Sequence, residues 1–214
     1  RAHIDHVRFD NAILNGVWSG RAAGGGGNVL GYPASLPSGW MQRKGLLVGP
    51  NVDLSNTKLS GEDLSNANLS DVNVTNAEID GVTLSGIRSG GVTGTPASLP
   101  AHWQITSGYL IGPGANLAHA NLNGVDLSNA TLTGVESGGI TGTPSHLPTG
   151  WQLFNGYLVG PGANLTNANL PHVNLTNMNL ANTNLTNTIL SNATLSGVQS
   201  GGITGTPASL PSDW

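Results

Sequence analysis

Residues 163–197 read ANLTN ANLPH VNLTN MNLAN TNLTN TILSN ATLSG, and this stretch decides the fold. A large aliphatic residue returns at every fifth position: Leu165, Leu170, Leu175, Leu180, Leu185, Leu190 and Leu195. Two positions before it stands a smaller apolar residue, as at Ala163, Ala168 and Val173, and two positions after it Asn is frequent, as at Asn167, Asn177 and Asn182. Neither a helix of period 3.6 nor simple strand alternation keeps an apolar pair in phase every five residues. A short extended step followed by a corner does, with the pair pointing inward and the other three residues outward. The corner slot holds Asn or Gly, which best tolerate turn and left-handed backbone.

The same phase runs through Leu54, Leu59, Leu64, Leu69, Val74, Ile79 and Leu84, and again through Leu117, Leu122, Leu127 and Leu132. Small partners accompany it at Ala67, Val72, Ala77, Val82, Ala115, Ala120, Val125 and Ala130. The first residues follow suit, with Ala2 and Ile4, Val7 and Phe9, and Ala12 and Leu14. Coil segments are therefore expected at 2–18, 52–87, 115–135 and 163–198.

The copies ANLSD, ANLAH, ANLNG, ANLTN and ANLPH resemble the A(N/D)LXX motif of the pentapeptide-repeat family. That resemblance implies an all-β fold, a right-handed quadrilateral β-helix or solenoid. It implies less about activity, because members of the family serve as binding surfaces or as DNA-mimicking inhibitors of topoisomerases, and fold does not fix function.

A second repeat interrupts the first. GVTGTPASLPAHWQITSGYLIGPGANL (91–117) and GITGTPSHLPTGWQLFNGYLVGPGANL (139–165) are near copies, GYPASLPSGWMQRKGLLVGPNVDL (31–54) is a looser one, and GITGTPASLPSDW ends the sequence. The prolines oppose a regular ladder, while WQLFNGYLVG reads as two short strands around a Phe-Asn-Gly turn. The expected organisation is a single repeat domain over 1–214, with β-hairpin or loop inserts at 19–51, 88–114, 136–162 and 199–214.

Composition limits the chemistry. Charged residues make up 8% of the 214, far below the usual quarter, so the outward face is built from Asn, Ser and Thr. A net charge of −4 with seven Lys and Arg supplies no basic stripe for phosphates, which argues against direct nucleic-acid binding. No apolar run approaches the roughly 20 residues that span a bilayer, and no signal peptide opens the sequence, so a soluble chain is expected. Absence of cysteine removes disulfides, thiolate metal sites and a cysteine nucleophile.

No catalytic constellation emerges. The serines and threonines recur in the slot after each Leu, as Ser55, Ser60, Ser65 and Ser70 do, and GGGG at 24–27 lacks the Lys of a phosphate loop. His3, Asp5 and His6 invite a metal reading, but His6, His119 and His172 occupy the corner slot, and His102 and His146 lie in the LP loops. No cofactor, metal or catalytic residue is assigned. Glu62 stands where other repeats carry Ala or Val; the favoured account is a locally open wall or a carboxylate reaching solvent, against a buried functional acid.

The aromatic residues at matching insert positions, Trp40, Trp103, Trp151, Trp214, Tyr109 and Tyr157, are the recognition candidates. Exposed rings stack on sugars or a partner protein. The favoured alternative packs each Trp beneath its own LP loop, because a short insert needs an apolar anchor. The sequence is thus expected to be a non-enzymatic structural or adhesive repeat protein, an extracellular or cell-surface fibre segment that self-associates end to end through Ile4, Phe9 and Trp214. A glycan- or ice-binding surface module and a DNA-mimic inhibitor of a topoisomerase are the alternatives; the last requires a dense acidic face that Asn, Ser and Thr do not supply.

Overall fold

A computed structural model describes residues 3–17 and 30–214. Ala2, Trp18 and the glycine run 24–27 lie outside the described residues. The chain forms two compact units, Arg1–Leu110 and Ile111–Trp214. Among the described residues there is no helix, and the ordered structure consists of β-bridges, short strands and turns.

In both units parallel bridges join residues twenty apart, four pentapeptides further along the chain. In the first unit Asp53 pairs with Asn73, Lys58 with Glu78, Asp63 with Thr83 and Asn73 with Thr93. One of these rungs lengthens into strands: β3 (Asn68–Ser70) runs parallel to β4 (Arg88–Gly90). In the second unit Asn164 pairs with Asn184 and Asn184 with Thr204, while Asn169, Asn174 and Asn179 pair with Ile189, Thr194 and Gln199. The chain is therefore a β-helix in which each turn consumes four pentapeptides.

The corner is a hydrogen-bonded β-turn. The small residue of each pentapeptide donates its N–H to the carbonyl of the preceding large one, as from Ala67 to Leu64 (3.0 Å), Ala77 to Val74 (2.9 Å) and Ala168 to Leu165 (2.9 Å). The third residue of this turn has positive φ: Asn66 at 63°, Asn76 at 56°, Asn167 at 60° and Gly61 at 76°. Positive φ at that position alone is the mark of a type II turn, and Gly and Asn adopt it at the least cost. His6, His119 and His172 take the same conformation in the same slot, with φ of 60°, 63° and 57°. Asn129 closes the equivalent turn from Ala130 to Leu127 without left-handed backbone.

Each turn points its apolar pair inward. The large aliphatic residues from Leu54 to Leu84, Leu117 to Leu132 and Leu165 to Leu195 are buried, and so are Ala67, Val72, Ala77, Ala115, Ala163 and Ala168. The small slot also takes Thr57, Thr183 and Thr188, all buried. Their hydroxyls donate to Leu54 O (2.6 Å), Gly160 O (3.3 Å) and Leu165 O (2.7 Å), so none of the three is stranded in the core.

The first pentapeptides depart from expectation. Ile4, expected at an open edge, is 7% exposed, because residues 30–35 return alongside: His3 bridges Leu30, Arg8 bridges Ser35, and Ile4 N–H donates to Leu30 O at 2.9 Å. Val7, expected to face inward, is 40% exposed, whereas Phe9 and Leu14 are half-buried.

The inserts depart from the wall later than the prolines suggest. Glu78 bridges Ser98, Asp126 bridges His146 and Ile189 bridges Ser209, each at the regular spacing, so the GTPxxL segments continue the ladder. The residue after each proline keeps its N–H and joins the ladder, from Ala97 to Ala77 O, Ser145 to Val125 O and Ala208 to Thr188 O. Among the described residues the hairpins are what leaves the coil. β1 (Met41–Arg43) pairs antiparallel with β2 (Leu46–Val48), and β7 (Gln152–Phe154) with β8 (Tyr157–Val159); β5 (Gln104–Thr106) and β6 (Tyr109–Ile111) form the third sheet. Their loops, Lys44-Gly45, Ser107-Gly108 and Asn155-Gly156, have positive φ at both residues, the type I′ geometry of two-residue hairpins.

Replacing Ala168 by Leu is expected to destabilise the second unit by about 1–3 kcal/mol through overpacking. Asn167→Gly, which keeps left-handed backbone available, is expected to change stability by no more than about 0.5 kcal/mol. Equilibrium urea unfolding of both variants checks the inside and outside assignments, which equal losses at the two positions would refute.

Candidate functional site

The aromatic side chains of the inserts sit on glycines. A Cβ on Gly49 would fall within the Trp40 ring, and one on Gly160 within the Trp151 ring. The GP that follows the hairpins at 41–48 and 152–159 thus leaves the space that the indole fills. Trp151 is 8% exposed, and Trp40 and Trp103 are half-buried against the apolar core of the first unit. Trp214 is different, at 62% exposed. Tyr109 lies over Gly90 and Tyr157 over Gly138, where a Cβ would come within 3.2 and 2.9 Å of the respective ring.

Beside these glycines Ser89 and Ser137 fasten the hairpins to the wall. Leu110 N–H donates to Ser89 Oγ at 3.0 Å, and Leu158 N–H to Ser137 Oγ at 2.9 Å. The Ser-Gly-Gly sequences at 89–91 and 137–139 are therefore docking points: Ser supplies the acceptor, and the first Gly supplies room for the Tyr ring. Sequence reading missed this role; the recurrence of Ser-Gly-Gly ahead of each GTP segment was the available signal.

The polar column before each large aliphatic residue also has a structural task. Asp53, Asn73, Asn164, Asn174 and Asn184 each accept the backbone N–H two residues on, at 2.8–3.2 Å. Where Thr follows the aliphatic residue, its hydroxyl donates to the same oxygen, as Thr75 does to Asn73 and Thr186 to Asn184, both at 2.7 Å. These Asx-type bonds stiffen the corner from outside. Stacked corners add amide bonds along the ladder, from Asn76 to Asn56 (3.3 Å) and from Asn187 to Asn167 (3.2 Å).

The carboxylates are drawn into the same pattern. Hydroxyls of Ser98 and Ser60 bond to Asp80, at 2.6 and 2.7 Å, and hold its carboxyl below the ordinary carboxylate range. The Ser65 hydroxyl and N–H do so for Asp63, and the Ser128 N–H chiefly does so for Asp126. Glu62, expected in a small apolar slot, is half-buried and turns toward the first hairpin, where Lys44 Nζ stands 3.3 Å from its Oε1. Among the described residues no group of three or more His, Asp or Glu is placed to hold a metal ion. His3 and His6 are exposed, and Asp5 accepts the backbone N–H of Tyr32 at 3.0 Å. Among the same residues no helix is long and apolar enough to cross a membrane.

The pentapeptide-repeat family model matches the chain in eight copies, over residues 51–86, 114–136 and 162–197. These segments carry the repeats of the pentapeptide-repeat family, whose members are generally non-enzymatic structural or interaction proteins. No curated protein matches it.

Two outcomes follow from this geometry. Gly160→Ala is expected to destabilise the second unit by about 1–3 kcal/mol, because the added methyl displaces the Trp151 ring, and tryptophan fluorescence should shift to the red in the folded state. Acid should also weaken the fold in a defined direction. Carboxyls lowered in the folded state contribute stability that is present above their unfolded value, near 3.9, and lost as pH falls through the folded value. Melting temperature is expected to hold from neutrality to about pH 5 and then fall, with the acid limb flattened by Asp80→Asn.

Proposed function

We propose that the chain is a structural or adhesive protein built on a right-handed, four-sided β-helix, acting without catalysis through protein–protein contacts and through end-to-end association of its own copies. The observation that carries this reading is the distribution of apolar exposure. Aliphatic side chains of the regular coils are buried almost throughout, yet Ile13 is 87% exposed in the first coil, near Val7 at 40% in sequence, and Leu210 and Trp214 are 41% and 62% exposed in the last. Apolar side chains on a coil edge, next to backbone donors and acceptors, favour pairing with another chain. A contact of this kind between unlike edges does not close and grows into a filament.

The remaining surface supports a passive role. Its Asn, Asp, Ser and Thr side chains bond to neighbouring corners, and the carboxyls of Asp63, Asp80 and Asp126 are lowered rather than raised, which suits a hydrated wall better than a general acid. An extracellular or cell-surface setting goes with this reading, as a fibre or sheath segment would require.

Sedimentation velocity across a wide concentration range, with negative-stain imaging of the most concentrated sample, tests the proposal. Linear assemblies that grow with concentration are expected, and Ile13→Asp combined with Trp214→Ser should abolish them while leaving the unfolding midpoint in place. A monodisperse monomer at every concentration would sink the self-association reading and leave the β-helix standing.

A further inference from the structure

Three copies of the hairpin module can be aligned without gaps from the Gly of GYP or GTP to the Leu of the following pentapeptide: 31–54, 94–117 and 142–165. What repeats among them is accounted for by the fold: the LP segment, the Trp, the Gly-Pro that receives it and the hairpin Gly. What differs is concentrated in the first copy. Tyr32 stands where the others have Thr95 and Thr143, Gln42 replaces Ile105 and Leu153, and Arg43-Lys44 replaces Thr106-Ser107 and Phe154-Asn155. A fourth departure belongs to the other repeat, Glu62 in a slot that elsewhere holds an uncharged residue, most often Ala or Val.

These departures meet. Tyr32, Gln42, Arg43, Lys44 and Glu62, with Leu30, line one open cleft of about 450 Å³ within the first unit, inside the size range of small-ligand sites. Two of them carry a cost the fold does not require. Gln42 donates its amide to Gly31 O at 3.0 Å, but its Oε1 is buried without a partner, where the other copies place a hydrocarbon. The Tyr32 ring is 78% exposed, whereas Tyr109 and Tyr157 are packed over glycines.

The chemistry of the lining selects the ligand class. Lys44 is paired with Glu62 and also donates to Ser60 O at 2.9 Å, and Arg43 donates to Asp63 O at 2.6 Å and to Gln42 O at 2.9 Å. The cations are thus neutralised or occupied by the wall, which disfavours an anion such as phosphate or sulfate. What the cleft offers is an exposed aromatic face beside closely spaced donors and acceptors of both kinds, the combination that binds a pyranose ring through its C–H face and its hydroxyls. We infer that the cleft between the first hairpin and the coil wall is a binding site for a neutral saccharide, with Tyr32 as the stacking platform and Gln42, Lys44 and Glu62 as its hydrogen-bonding rim.

The repeats themselves supply the control. Gln42→Ile with Glu62→Ala writes in residues that equivalent positions already carry, so it should fold at least as well as the native chain. Saturation-transfer NMR on the full chain with cellotriose, maltotriose and triacetylchitotriose, followed by calorimetry, is expected to show transfer to the ring protons of at least one trisaccharide. The double variant should weaken that binding by about tenfold or more at an unchanged or higher melting temperature. Tyr32→Thr, the residue of the other copies, serves as an independent variant and should abolish transfer to the sugar C–H protons. Absence of transfer from all three sugars, native-like binding by either variant, or binding of inorganic sulfate in their place would overturn the assignment.

Discussion

Everything in this chain depends on one corner. Five residues are enough for a short extended step and a β-turn, and the turn closes most readily when its third residue accepts left-handed backbone. The Asn and Gly column supplies that residue, with φ between 56° and 76° at Asn56, Gly61, Asn66 and Asn76. Once the corner is fixed, the inward direction of Leu and Ala is fixed with it, and twenty residues return the chain to a position where backbone groups pair with the previous turn. The narrow core follows: with a corner every five residues the interior has room for one large and one small side chain per step, which is why Ala67, Ala77, Ala163 and Ala168 are buried completely. Small side chains give little hydrophobic energy each, so cohesion rests on their close packing and on a ladder that repeats at every step.

The outside of the corner is under a constraint of the same kind. A residue ahead of each aliphatic position must satisfy a backbone N–H left over by the turn, and Asn or Asp does so with its side-chain oxygen. This engages surface carboxyls in the architecture and lowers Asp63 and Asp126 rather than raising them, while the Ser98 and Ser60 hydroxyls lower Asp80. The faces of the β-helix become hydrated and internally bonded, and sites of recognition are left to the places where the pattern is broken.

Periodicity made the coil legible because the signal is local: each corner is decided within four consecutive residues. The large and small inward columns, the Asn and Gly corners and the hairpin around Asn155-Gly156 were all readable from residue type. What was not readable depends on which residues lie one turn apart. The GTPASL segment looks like a break because of its prolines, yet Ala97 N–H bonds to Ala77 O and the ladder continues to Ser98. Ile4 looks like an exposed edge residue, yet residues 30–35 cover it across the stretch 18–29. Glu62 looks misplaced in its slot because its partner, Lys44, belongs to the hairpin before it. The indole pockets show the same limit, since nothing in the sequence couples Trp151 to Gly160 until β7 and β8 fold back on each other.

The hairpins explain how such a constrained fold can still vary. Glu136 pairs with Asn116 at the regular spacing of twenty, and on its other side with Asn164, twenty-eight residues on, so a hairpin adds eight residues to one turn without breaking the ladder. Residues of the wall are bound by the corner on one side and the core on the other, and a change there is felt by the turns above and below. Hairpin residues escape both conditions, provided the Trp, its Gly-Pro and the docking Ser are kept. Polar and charged substitutions such as Gln42, Arg43 and Lys44 therefore collect where the fold charges least for them. Glu62 is the informative exception, because it carries the departure back into the wall itself. Its position opposite Lys44 couples the hairpin to the coil, and that coupling is what turns four scattered irregularities of sequence into one continuous polar cleft.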